Sequence, residues 1–320
     1  MNKILKIIFA GTPEFSVPTL LALNTAYSNV TYVLTQPDKK SGRGMKQLHS
    51  PVKKIASSLK IPTFQPISLK GNEIYETLEA CNADILIVVA YGLIIPKKIL
   101  ALFPMGCYNV HASLLPRWRG AAPIHRAIES GDKAVGVTIM KVVEKLDAGP
   151  MLTSKSIALG KNMTTGEVTK SLADIGAELM SQIVFSLQKK ETISIVEQNE
   201  SLVTYAEKIS KTEARINMSY SPEIIIRKIN SLNPYPGASI IFREKILKIW
   251  GAKLIENKDE KKQVNKQINI GNLYTYNEEL FLKLGNGAIK IMELQPEGKN
   301  KMDAKSFIRG YKIIKIEKIN

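Results

Sequence analysis

At 320 residues, 44% apolar and 23% charged, the chain is long enough for two domains with cores of their own and too apolar for wholesale disorder. Its two cysteines, Cys81 and Cys107, exclude a disulfide framework and fit a reducing cytosol, and the longest strongly apolar stretch, 85–96, is too short to span a bilayer. The formal charge of +16 divides as +7 over residues 1–208 and +9 over the shorter 209–320, an excess that attracts polyanions and makes nucleic acid the leading partner class. A chain rich in lysine throughout is the plainer reading of the same number, and charge alone leaves both open.

The first half alternates apolar runs with helical segments. Ile4–Ala10, Val30–Thr35, Asp84–Ala90, Cys107–Val110 and Val135–Met140 read as strands, several apolar enough to be buried on both faces. The lysines near Met1 resemble the start of a signal peptide. The apolar run ends at Ala10 without a small-residue cleavage pattern, so a first buried strand is expected. Helices are expected over Pro18–Leu23, Val52–Ser58, Ile74–Ala80, Pro123–Glu129 and, longer, Gly166–Leu187. This alternation predicts an α/β, Rossmann-like, mostly parallel sheet. The first strand leads into Gly11-Thr12-Pro13-Glu14-Phe15, which lacks the glycine spacing of a dinucleotide site.

Around 202–215 the pattern becomes a charged connector. Beyond it come a helix near Pro222–Leu232, a Pro-rich turn at 233–237, and short strands at Ala238–Phe242, Ile246–Leu254, Leu280–Leu284 and Ala288–Leu294, as in a small antiparallel barrel. The lysine-rich stretch 257–267 reads as an exposed loop. The expected organisation is residues 1–205, a linker at 206–214, and a β-rich, OB-like second domain over 215–320.

The chemistry centres on Cys107-Tyr108-Asn109-Val110-His111. On a strand, Asn109 and His111 project from one face. An amide that holds a carbonyl oxygen and an imidazole that donates or moves a proton suit acyl transfer to an amine. A strand-end histidine is often only structural. Here it precedes a long loop, Ser113-Leu114-Leu115-Pro116-Arg117-Trp118-Arg119-Gly120, and a helix that starts at Pro123. Asp147, in Leu146-Asp147-Ala148-Gly149, follows the next strand and can reach the imidazole. By itself it also reads as a turn-forming residue before glycine.

Taken together, 109–120 and 146–149 resemble the folate-dependent formyltransferase superfamily. The segments Phe9–Phe15, Thr35–Asp38, Gly42-Arg43-Gly44, Val88–Gly92, Val203–Ile209 and Asn233–Ala238, with the basic second half, resemble its branch that acts on initiator methionyl-tRNA. The resemblance implies a cytoplasmic, monomeric enzyme using 10-formyltetrahydrofolate, with no metal, dinucleotide or membrane. It implies catalytic roles for Asn109, His111 and Asp147, and folate contacts from Ser113, Leu114, Leu115 and Pro116 and from the backbone of Ala90, Tyr91, Gly92 and Leu93. It implies tRNA contacts from Lys39, Lys40, Arg43 and Lys46, in the loop 36–49. His49 and His125 are read as outside the chemistry. Rival readings are a formyltransferase for a small amine, an RNA-binding protein with an inactive transferase domain and, weakened by the missing glycines, a dinucleotide-dependent oxidoreductase. An intact Asn109, His111 and Asp147 set argues against the inactive form.

Overall fold

A computed structural model of the chain describes residues 4–25, 28–41, 46–255, 268–313 and 316–318. They form two compact units, one from residues 1–123, 134–158 and 169–207, the other from 124–133, 159–168 and 208–320. Elements are labelled in chain order in both.

The first unit is built on β1 (Leu5–Gly11), α1 (Val17–Ala22), β2 (Ser28–Leu34), a hairpin of β3 (Lys39–Ser41) and β4 (Lys46–Leu48), α2 (Pro51–Ser58), β5 (Thr63–Phe64), α3 (Asn72–Ala80), β6 (Ile85–Val89), α4 (Lys97–Leu100) and β7 (Cys107–His111). It continues with β8 (Arg119–Gly120), α5 (Pro123–Ser130), which runs on into the second unit, β9 (Ala134–Lys141), β10 (Met151–Ala158), α6 (Thr165–Gln188) and β11 (Tyr205–Ala206). The main sheet has the order β10-β9-β7-β6-β1-β2-β5, parallel from β7 to β5, with β9 and β10 joined antiparallel. Ile7, Ile8, Phe9 and Ala10 are all fully buried, the two-sided burial expected of a central parallel strand.

From β1 the chain winds outward through β2 to β5, then returns to lay β6 on the other side of β1. In sheets with such a reversal, ligands bind at the carboxyl ends of the strands beside it, here β1 and β6. The Ser16 hydroxyl donates to the Val89 carbonyl at 2.6 Å, and Thr12 Oγ1 and Gln36 Nε2 donate to the Tyr91 carbonyl at 3.1 and 3.3 Å. The turn 90–93 is therefore tied to the ends of β1 and β2.

The second unit follows α7 (Pro222–Ser231) with β12 (Ala238–Phe242), β13 (Lys245–Leu254), β14 (Asn272–Tyr276), β15 (Glu279–Leu284), β16 (Gly287–Pro296), β17 (Met302–Asp303), α8 (Ala304–Tyr311) and β18 (Ile316–Lys318). Its antiparallel path runs β12-β13-β16-β15-β14-β18, with β17 beside β16. Ile225 and Ile229 of α7 and Phe307 of α8 pack with Ile249, Leu280, Leu282 and Ile291 in one core.

The expected α/β sheet and β-rich second unit are both present. Three of the elements the sequence did not announce show why. β10 is an edge strand, mostly exposed, so it shows no apolar run. β14 is short and joined to β15 by the tight turn Asn277-Glu278, both with positive φ. α8 is announced mainly by its cap, where Asp303 accepts from the Ser306 amide at 2.8 Å. The loop expected over 257–267 lies outside the described residues. Among the described residues, no helix is long and apolar enough to cross a membrane.

Candidate active site

β7 places Asn109 and His111 on one face, about 7 Å apart along the strand. His111 is 6% exposed and Asn109 is half-buried, and among the described residues the Asn109 amide makes no side-chain hydrogen bond. His111 Nδ1 faces Asp147 Oδ2 at 3.6 Å, and Nε2 lies 2.9 Å from the Trp118 carbonyl oxygen. A carbonyl only accepts, so Nε2 carries a proton. The other ring nitrogen, Nδ1, is the one turned toward the carboxylate.

Asp147 sits in a tight turn bonded to the loop after β7. Its backbone is left-handed, with φ +48°, and Oδ2 accepts from the Gly120 amide at 2.9 Å. Two residues on, Gly149 packs so closely that an added Cβ would lie 1.9 Å from the Lys141 carbonyl oxygen, a backbone atom. Gly149→Ala should therefore lower stability by about 2–4 kcal/mol and displace the Asp147 turn. Thermal unfolding reads the loss, and a variant as stable as the parent would show that the turn gives way freely.

The loop after β7 is knitted back onto the sheet. Thr138, fully buried and paired with His111 in the ladder, donates to the Ser113 carbonyl at 2.7 Å and accepts from the Leu115 amide at 3.2 Å. The Ser113 hydroxyl donates to the Arg117 carbonyl at 2.7 Å, and the Arg117 guanidinium stacks over the Trp118 ring at 4.3 Å. Ser113 to Pro116 are thus fixed in the loop that follows His111. Across β6, Ala90 and Gly92 are exposed, both with positive φ, next to an Ile94 side chain that is 79% exposed. The Tyr91 side chain points away into the core with Ile8 and Leu34, so only its backbone faces this turn.

Cys107 shares the parity of Asn109 and His111 but is buried. Burial pushes its thiol up to about 12, which leaves it protonated and unsuited to nucleophilic chemistry. His125 is half-buried in α5, where burial holds its imidazole below the ordinary value. Among the described residues no cluster of His, Cys, Asp and Glu could hold a metal ion.

Lys39, Lys40 and Lys46 fall on the β3–β4 hairpin, in which Lys39 pairs with Leu48 and Lys40 with Gln47, and Arg43 lies outside the described residues. A polar hub closes the hairpin's base. The Asp38 carboxylate takes hydrogen bonds from Lys53 Nζ at 2.6 Å, Gln65 Nε2 at 2.8 Å and His49 Nδ1 at 2.8 Å. Burial alone would raise its pKa, but the bonds from Lys53, Gln65 and His49 pull it down to about 2. His49, read from the sequence as incidental, is thus part of that anchor. The residues around Gln198, which sequence reasoning passed over, bond to the loops on both sides of Asp147.

The formyl transferase family model matches residues 3–184, and the model of the formyl transferase C-terminal domain matches 208–312. A protein of Methylococcus capsulatus named methionyl-tRNA formyltransferase is 43% identical over 307 residues, covering 96% of this chain and 97% of its own. One of the same name from Coxiella burnetii is 43% identical over 308 residues, covering 96% of each chain. Among solved structures, the sugar 3N-formyl transferase WlaRD, crystallised with dTDP and 5-N-formyl-THF, aligns with a TM-score of 0.63 at 16% identity, covering 93% of this chain and all of its own. HypX from Aquifex aeolicus, in complex with tetrahydrofolic acid, aligns with a TM-score of 0.61 at 14% identity over 96% of this chain and 47% of its own. At such identities the last two speak to the fold alone.

Proposed function

Because this chain belongs to the methionyl-tRNA formyltransferase family of formyl transferases, we propose that it moves the formyl group of 10-formyltetrahydrofolate to the α-amine of methionine on initiator tRNA. The observation that carries the chemistry is the buried His111 imidazole, held against the Asp147 carboxylate on the same strand face as the Asn109 amide.

The folate fits the donor set at the ends of β6 and β7. A flat heteroaromatic ring needs backbone hydrogen-bonding groups and an apolar surface. The turn 90–93, with Ala90, Gly92 and Ile94 exposed, offers both, and Ser113, Leu114, Leu115 and Pro116 follow the next strand. The bound donor supplies an activated formyl group, and the rest falls to the chain's own residues. Asn109 donates its amide N–H to the oxygen on which negative charge develops as the neutral amine attacks. His111 Nε2 donates to the same oxygen the hydrogen bond it now gives Trp118, since an oxyanion is a far stronger acceptor than a neutral carbonyl. Asp147 orients His111 and helps pass the amine proton to the departing nitrogen. No covalent enzyme intermediate is required.

We assign the tRNA to the 36–49 loop, through Lys39, Lys40, Arg43 and Lys46, and to the lysines of residues 215–320, whose phosphate contacts position the RNA without reading it. Arg43→Ala should raise the KM for tRNA about tenfold or more while leaving folate affinity unchanged. Loss of folate binding in this variant would remove the loop from the tRNA side. The enzyme is read as a cytoplasmic monomer, in keeping with two free cysteines.

The test is transfer of labelled formyl from 10-formyltetrahydrofolate by the purified protein. Label should appear as N-formylmethionine on the tRNA. Equal transfer to free methionine or to an amino sugar nucleotide would overturn the tRNA assignment.

A further inference from the structure

The Asp147 turn does not hold itself. Gln198 is 8% exposed, and its side-chain amide donates both hydrogens into that turn, to the Asp147 carbonyl at 2.8 Å and the Gly149 carbonyl at 2.7 Å. Its Oε1 accepts from Arg119 Nε at 2.9 Å. Two acceptors on one side and a guanidinium on the other leave the amide one orientation. Arg119 is fully buried, and its Nη2 donates to Glu200 at 2.8 Å. Glu200 also accepts from Lys145, on the Asp147 loop, at 3.1 Å.

The backbone around Gln198 is tied to the same places. Val196 and Met151 exchange hydrogen bonds at 2.8 and 2.9 Å, just past the Asp147 turn. Thr204 accepts from the Arg119 amide at 2.9 Å through its carbonyl and from the Trp118 amide at 2.9 Å through its hydroxyl, and Ala206 accepts from Ala121 at 2.8 Å. One segment, 196–206, therefore grips two loops. One carries Asp147, and the other carries the Trp118 carbonyl and Gly120 amide that bond to His111 and Asp147.

We propose that 196–206 is the brace that sets the His111–Asp147 contact, with Gln198 as its positioning residue. Gln198 touches no reacting atom and acts through the backbone of Asp147 and Gly149. The proposal rests on the reading of His111 and Asp147 as the catalytic pair. A carboxylate displaced by even about 1 Å from the imidazole costs on the order of a hundredfold in rate, whereas substrate-binding surfaces elsewhere stay as they were.

Gln198→Ala removes all three hydrogen bonds. Gln198→Glu keeps the volume and the bond to Arg119 but turns an acceptor toward two carbonyl oxygens, so it isolates the donor function and covers the case in which the alanine variant fails to fold. Both variants should lose about tenfold or more in kcat, with KM for tRNA and folate within about twofold of the parent. A second readout needs no turnover. The chain has three histidines, so the imidazole ¹⁵N signals of His111 are assigned by comparison with His111→Ala. At one fixed pH they should move in both Gln198 variants toward their position in Asp147→Asn. An unmoved His111 signal, or a loss confined to KM, overturns the brace. Should His111→Ala itself retain full activity, the catalytic reading falls, and the ¹⁵N signal still decides whether Gln198 sets the contact.

Discussion

Replacing His111 by alanine should slow formyl transfer by about 10²–10³-fold with little change in either KM. His111 is buried, and its two polar contacts go to Asp147 and to the Trp118 carbonyl. The variant removes a donor from the developing oxyanion, and loss of one such donor costs about 3 kcal/mol, or roughly two decades in rate. Loss of the imidazole also leaves Asp147 without its partner, which adds to the effect. Single-turnover transfer at saturating donor and tRNA measures the chemical step directly. A variant within about twofold of the parent would remove His111 from the chemistry.

Asp147→Asn separates charge from architecture. The asparagine oxygen can still accept from the Gly120 amide, and the left-handed backbone suits asparagine, so the turn stays folded. That same oxygen is the one that faces His111 Nδ1, so the substitution keeps the contact and removes only the negative charge. The ring loses the carboxylate charge beside it, and kcat should fall about 10²-fold while thermal stability and both KM values hold near the parent's. Full activity in this variant would show that the carboxylate serves only the turn. Loss of activity together with folding would fail to separate the two and is excluded by measuring the unfolding midpoint alongside.

The sequence made the parallel sheet legible because its strands are buried on both faces and read as continuous apolar runs, with Ile7 to Ala10 the plainest case. Asn109 and His111 were legible for a second reason, the period-two geometry of a strand, and Asp147 because a carboxylate before Gly149 stood at the next strand's end. The edge strand β10 was hidden by its exposure, and the hairpin inside 36–49 by residues that read equally well as a polar loop. Gln198 left no local signal at all. It stands 79 residues from Arg119 and about 50 from the turn it holds, in a polar stretch with neither periodicity nor motif, and only tertiary contact reveals it. The same distance explains why 202–215 read as a bare connector although Thr204 and Ala206 are bonded into the first unit.

The central claim is transfer of a formyl group to the amine of methionine on one particular tRNA. The most direct measurement compares kcat/KM for initiator and elongator methionyl-tRNA, which carry the same methionine and differ only in the RNA. Initiator should be preferred by about a hundredfold or more. Equal use of the two would contradict the account, and formylation of neither would end it.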